Sequence, residues 1–200
     1  MGGTGTREQP GEARPMRADA QRNYARLLDA ASAAFVEHGA DDVSLEEIAR
    51  RAGVGIGTLY RHFPTRQALL EAVYRDQVES LRARAEELGE AESPGDALAE
   101  WLRAMVKFSS TKRSMTSALL ATLGTDSELL SACSTVIRGS AESLLARATQ
   151  AGVVRPDADA GDVIRLVHAV NIATEKAADP GQADRMLALI LDGLRPQPAS

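Results

Sequence analysis

The 32 residues from Val43 to Tyr74, VSLEEIARRAGVGIGTLYRHFPTRQALLEAVY, constrain the fold of this chain more than any other stretch. Leu45, Ile48, Ala49 and Ala52 recur at helical spacing. Ser44 with Glu47 three residues on is a capping box, in which the hydroxyl accepts a backbone N–H at the helix start and the carboxylate accepts one from Ser44. Gly53 can take the left-handed conformation that ends a helix, and Val54 plugs the turn behind it. From Gly55 a second short helix buries Leu59 and Phe63 at i,i+4 and turns Ile56, Gly57, Thr58, Tyr60, Arg61 and His62 outward or partly outward. Gly55 and Gly57 let a backbone come close to another surface. Helix, glycine turn and a second helix rich in hydrogen-bonding groups make a helix-turn-helix, with the second helix as the probe of a DNA major groove.

The neighbouring segments complete a unit around it. From about Asp19 to His38, Tyr24, Leu27, Leu28, Ala31 and Phe35 form an apolar stripe that Gly39 ends, so a first amphipathic helix gives a three-helix DNA-binding domain over 19–65. Residues 1–18, rich in Gly, Pro and charge without periodicity, read as a disordered arm. That arm is either a solvated tail or a source of arginines (Arg14, Arg17 and the nearby Arg22) for the DNA backbone or minor groove. Pro64 stops the probe helix, and Thr65 caps a long connecting helix from Arg66 to about Leu88.

Residues 66–195 read as a larger helical domain for ligand binding and dimerisation. Ser93-Pro94 starts a fifth helix that runs to about Ser110 and carries Leu98, Trp101, Leu102, Met105 and Phe108 on one face. Segments at Ser114–Leu123 and about Asp126–Ala151 follow, with Gly124 and Gly152 as stops. Two helices close the domain. One, Asp159 to about Ala177, has Val163, Leu166, Val167 and Val170 on one face; the other, Asp179 to about Leu194, is apolar nearly all round through Met186, Leu187, Leu189, Ile190, Leu191 and Leu194. Either their own domain covers these faces or they pair with their twins across a twofold axis as a four-helix bundle, with Val163, Leu166, Val167, Val170, Leu187, Ile190, Leu191 and Leu194 at the interface. Residues 196–200 are a linker-like tail. With about nine helices and no period-two β-branched runs, the fold class is all-α.

Composition excludes several functions. The net charge of −5 is unevenly placed: residues 1–66 balance nine Arg against nine acids, while 67–200 carry fourteen Lys plus Arg against nineteen acids. A neutral, Arg-supplied first part can present positive charge to phosphates on one face. A lone cysteine, Cys133, rules out an internal disulfide or cysteine-based metal cluster, and His38, His62 and His168 lack metal-ligand spacing, so no metal or other cofactor is expected. No catalytic constellation is found, so the chain does not read as an enzyme. No apolar run approaches the roughly 20 residues of a membrane span and no signal-like segment leads the chain, which makes a cytoplasmic location the expectation.

A ligand site is more faintly marked. Trp101, Met105, Phe108, Met115, Leu119 and Cys133 could line an apolar cavity, with His168 and Asn171 on a stripe that supplies its polar groups; ordinary core packing for the first set and a solvated or dimer-facing stripe for the second are the alternatives.

Ala30-Ala31, Phe35, Gly39, Ser44, Ile48-Ala49, Ala52-Gly53-Val54, Gly57-Thr58-Leu59-Tyr60-Arg61-His62-Phe63 and Leu69-Leu70 together make the segment from about Tyr24 to Tyr74 closely resemble the DNA-binding domain of the TetR family of bacterial transcriptional regulators. The resemblance implies an all-α homodimer that binds a palindromic double-stranded DNA operator, usually repressing, and is released by a small-molecule effector. It places Gly57 and Thr58 near base edges, Tyr60 and His62 on phosphates, and Ser44 and Arg66 at helix starts against the DNA backbone. This chain departs from the family at Gly55 and Ile56, where many members have Ser and Lys; Ile56 could instead meet a thymine methyl. The alternative function is an all-α enzyme or helical module whose helix-turn-helix is only scaffold.

Overall fold

The computed structural model describes residues 13–40, 42–124, 127–175, 177, 179 and 181–196, with 13–17 and 110–114 described as backbone only. Among these the protein is all-α, with eight helices: α1 (Ala13–His38), α2 (Leu45–Arg51), α3 (Ile56–His62), α4 (Arg66–Gly89), α5 (Pro94–Leu123), α6 (Glu128–Gln150), α7 (Ala160–Thr174) and α8 (Gln182–Gly193). The chain divides into two compact units, Met1–Leu69 and Leu70–Ser200, so the boundary falls one turn into α4.

In the first unit, Leu27, Leu28, Ala31, Ala34 and Phe35 of α1 pack with Ile48, Ala49 and Ala52 of α2 and with Leu59 and Phe63 of α3, all buried. The starts and stops are the ones the sequence signals demand. Ser44 Oγ accepts the Glu47 amide at 3.1 Å. Gly53 adopts φ +66°, and two closing bonds, Val54 N–H to Ala49 O at 3.0 Å and Gly53 N–H to Arg50 O at 3.1 Å, finish α2 as a Schellman turn. Thr65 Oγ1 accepts the Ala68 amide at 3.0 Å and caps α4. One half of the expected capping box is replaced: the Glu47 carboxylate turns to Arg51, whose Nε and Nη2 donate to it at 3.0 and 2.7 Å. A charge-assisted two-pronged bond outcompetes a single bond to the Ser44 amide.

Two boundaries and one break differ from the sequence reading. Helix α1 begins at Ala13, so residues 13–18 of the expected arm are helical, while 1–12 lie outside the described residues. Ala13, Arg14, Met16, Arg17 and Ala18 are strong helix formers, and Pro15 falls in the first turn, where a missing N–H costs nothing. Helix α8 begins at Gln182 rather than Asp179, whose carboxylate accepts the Gly181 amide at 2.8 Å and a bond from Arg185 Nη2 at 2.6 Å, forming a turn before the helix. The polar run 111–113, read as a gap between a helix ending at about Ser110 and one starting at Ser114, is continuous helix within α5. Ser and Thr cost only a few tenths of a kcal/mol each in a helix, and the run contains neither Gly nor Pro, so α5 stops only at Gly124, where φ is +77°.

In the second unit, α5 packs against α6, α7 and α8, and α7 against α6 and α8. Trp101, Leu102, Met105, Met115 and Leu119 of α5 are fully buried, each worth roughly 1.5–3 kcal/mol on burial. Trp101 Nε1 donates to Leu81 O at 3.0 Å, which satisfies the indole and pins α5 to α4. Arg147 of α6 donates through Nη1 to Leu88 O at 3.3 Å and through Nη2 to Ala91 O, holding the turn between α4 and α5. No helix of the described residues is long and apolar enough to cross a membrane.

Candidate nucleic-acid interface

Helix α3 is held by its buried side, and its remaining surface is what the fold offers to a partner. Leu59 is fully buried and Phe63 nearly so, while Ile56 is 37% and Tyr60 46% exposed; Gly57 and Arg61 are also exposed, and Thr58 and His62 partly so. At 3.6 residues per turn Gly57 and Arg61 lie on the side opposite Leu59 and Phe63, with Tyr60 on one flank and Thr58 and His62 on the other. A Cβ built on Gly55 or Gly57 meets no atom within 4 Å, and neither glycine has positive φ. Nothing inside the unit requires glycine there; the bare backbone faces outward.

His62 is oriented by its neighbours. Its ring meets Tyr24 of α1 edge-on at 5.9 Å and Phe63 at 6.2 Å. Tyr24, read from the sequence as part of the buried stripe, is 39% exposed and packs 5.1 Å from Phe63, so it forms the outer edge of the core.

The guanidinium groups sort into two sets. Arg51 ties α2 to the end of α1, donating through Nη1 to Glu37 at 2.6 Å, with Nη2 3.2 Å from His38 Nε2; the hydrogen bond and charge of Arg51 hold the Glu37 carboxyl below its usual pKa. Arg22 pairs with Asp19, and Arg26 donates to Asn23. Arg66 is a clamp: Nη1 donates to Val43 O and Nη2 to Ala40 O, and its Cζ lies 6.0 Å from the Phe35 ring centroid. The resemblance places Arg66 against DNA, whereas in the fold its fork holds the loop between α1 and α2. Arg50 and Arg61, to which the sequence reading assigned no role, are exposed on the outer faces of α2 and α3, and no described residue pairs with either. Arginine at the position opposite the apolar pair of α3 was the available signal. The side chain of Arg17 lies outside the described residues.

In the second unit Trp101, Met105, Met115 and Leu119, expected to line a cavity, have no exposed surface and lie in the core. Phe108 is half-buried, and Asn171 is buried with Nδ2 donating to Val167 O at 3.2 Å, while His168 is exposed. Among the described residues, two grooves lie between α4 and α6. One, of about 570 Å³, includes Cys133 with Arg75, Val78, Glu79, Leu129 and Val136; the other, of about 710 Å³, combines small residues such as Ala85, Gly139 and Ser143 with the charged Arg82, Glu86, Glu90 and Arg147. Tyr74 is buried, and burial first and the neighbouring Cys133 second push its hydroxyl pKa up. Ser109 Oγ is buried with no hydrogen-bond partner among the described residues.

The candidate dimer residues divide by burial. Val163, Val167, Val170, Leu187 and Leu194 are buried within their own unit, which corrects their placement on an external face. Their spacing marks the side of α7 that faces α5 and α6 and the side of α8 that faces α5 and α7, and periodicity alone does not distinguish such a side from an intersubunit one. Leu166, at 47%, remains exposed, Ile190 and Leu191 are half-buried, and Ile172, at 67%, and Leu189, at 72%, extend the apolar surface.

Comparison with known proteins agrees with this architecture. Residues 27–73 match the model of the bacterial regulatory proteins of the tetR family, and 93–196 match the C-terminal domain of SbtR-like transcriptional regulators. A TetR transcriptional regulator from Streptomyces coelicolor is 36% identical, with a TM-score of 0.79 over 87% of this chain and 99% of its own. A TetR regulatory protein from Mycobacterium vanbaalenii is 38% identical, with a TM-score of 0.74 over 91% of this chain and all of its own. An HTH-type transcriptional regulator of Staphylococcus aureus is 43% identical over 54 residues, 27% of this chain, and the match spans 29% of that regulator. With both its helix-turn-helix unit and its helical body matched, the chain belongs to the TetR family and is a DNA-binding transcriptional regulator rather than an enzyme.

Proposed function

We propose that this regulator is a cytoplasmic repressor that holds a palindromic operator as a homodimer and is released by a small, mainly apolar effector. The observation that carries the reading is the outward surface of α3, where Gly57 and an Arg61 with no partner among the described residues lie opposite the buried Leu59 and Phe63, with Tyr60 half-exposed on one flank and Gly55 bare at the leading end. In it, Gly55, Ile56, Gly57 and Thr58 approach base edges, while Ser44, Tyr60 and His62 meet phosphates; Ser44 keeps its hydroxyl proton for an external acceptor while its oxygen caps α2. The dimer forms through Leu166, Ile172, Leu189, Ile190 and Leu191 of α7 and α8, apolar surface that a monomer leaves in water. The effector enters the groove at Cys133, where Val78, Leu129 and Val136 supply apolar contact and Arg75 a donor. By favouring one of two conformations it shifts the dimer away from half-sites about 34 Å apart.

The test is selection of duplexes from a random pool by the full-length chain, followed by competition with small apolar compounds. Salt-sensitive binding of a palindrome by a dimer, with release by at least one compound class, is the expected result. Binding by a monomer to an asymmetric site would overturn the palindrome and dimer parts.

A further inference from the structure

We infer that Arg61 sets operator specificity by reading a guanine in the major groove of each half-site; this rests on α3 being the DNA-reading helix. The described side chains of the first unit include six arginines, and four have partners within it: Arg22 with Asp19, Arg26 with Asn23, Arg51 with Glu37 and Glu47, and Arg66 with two carbonyls. Arg61 and Arg50 have none among the described residues and are exposed. Arg61 is two residues after Leu59 and two before Phe63, about 200° around the helix from each buried side chain, so it leaves α3 on the side directly opposite its anchor.

Its surroundings direct the group further. Long side chains on a helix lean toward the preceding turn, so the stem of Arg61 passes over the residue four earlier. That residue is Gly57, which has no side chain and no atom within 4 Å of where a Cβ would be. A guanidinium leaning that way is directed over bare backbone toward the leading end of α3, the part of a probe helix that comes closest to base edges. Gly55 and Ile56, also exposed at that end, bring no side-chain hydrogen-bond donor, and the partly exposed Thr58 adds a single hydroxyl rather than a fork. A planar fork of donors delivered to the floor of the groove matches the O6 and N7 acceptors of guanine. Arg50, on the outer face of α2, sits on the helix that crosses the DNA backbone in this motif and lacks that access.

The experiment selects duplexes with the full-length protein, then measures its affinity and that of Arg61→Ala and Arg61→Lys for the selected site carrying each of the four bases at every half-site position. The expected wild-type result is one guanine per half-site, preferred over other bases by about 5- to 150-fold. Arg61→Ala should level the four bases at that position and leave the preferences elsewhere intact. Replacing that guanine by 7-deazaguanine, which removes only the N7 acceptor, should weaken the wild type and leave Arg61→Ala unmoved. A uniform loss across all sequences on Arg61→Ala, restored by Arg61→Lys, would identify a phosphate contact and overturn the inference, as would selected sites without a guanine that depends on Arg61. Failure of the wild type to select any site would instead remove the reading of α3 as the probe.

Discussion

Arg66 is the residue at which family resemblance and fold disagree, and its replacement decides between them. Two nitrogens of its guanidinium bond the carbonyls of Ala40 and Val43, which close the loop that aims α2. Hydrogen bonds to a charged group are worth about 1.5–3 kcal/mol each. These two share one partly buried side chain, and the freed carbonyls regain some water, so Arg66→Ala should cost about 2–3 kcal/mol rather than the sum. For a chain of this size that lowers the melting temperature by about 4–12 °C. Arg66→Lys, with one ammonium in place of a fork, should recover less than half. Urea and thermal unfolding followed by circular dichroism measure the loss, and operator titration across salt concentrations supplies the contrast. A clamp leaves the slope of log affinity against log salt unchanged in Arg66→Ala, because no phosphate contact is removed. Unchanged stability in Arg66→Ala together with a slope smaller by about one would refute the clamp and restore the DNA contact.

Three further outcomes follow from the same geometry. Gly53→Ala should destabilise the first unit by about 1–2 kcal/mol because φ is +66°, whereas Gly57→Ala should hold or gain stability, by up to about 1 kcal/mol, as paired denaturant melts will show. Leu189→Asp with Ile172→Asp, both on exposed surface, should leave the helical spectrum intact and reduce a dimer to the 21.2 kDa chain in sedimentation; an unchanged dimer would move the interface elsewhere. Tyr74 has its folded pKa raised above the unfolded value of about 10, so its contribution is fully present below that pH and is lost as pH rises through the folded pKa. Tyr74→Phe should therefore flatten the fall in stability above about pH 10, where the unfolded tyrosine ionises, as urea melts across that range will show.

The sequence by itself determined the helix-turn-helix, because its determinants are local. Ser44, Gly53, Thr65 and the stop before Pro64 act through backbone bonds within a few residues, and the i,i+4 pair Leu59 and Phe63 names the buried side of α3. All-α class and the family followed from periodicity and from residues at fixed spacing. The continuity of α5 was not legible, because Ser and Thr lower helix propensity too little to end a helix that packs on both sides of them. Only the tertiary structure decided which apolar side of α7 and α8 faces inward, since Val163, Leu166 and Val167 carry the same hydrophobic signal whether they meet α5 or solvent. It also decided which arginines are engaged: Arg66 reaches carbonyls 23 and 26 residues away, a pairing set by how α4 meets the loop before α2. The position of Arg61 opposite Leu59 and Phe63 is legible in the sequence, but that it has no partner among the described residues is a property of packing, which no local pattern encodes.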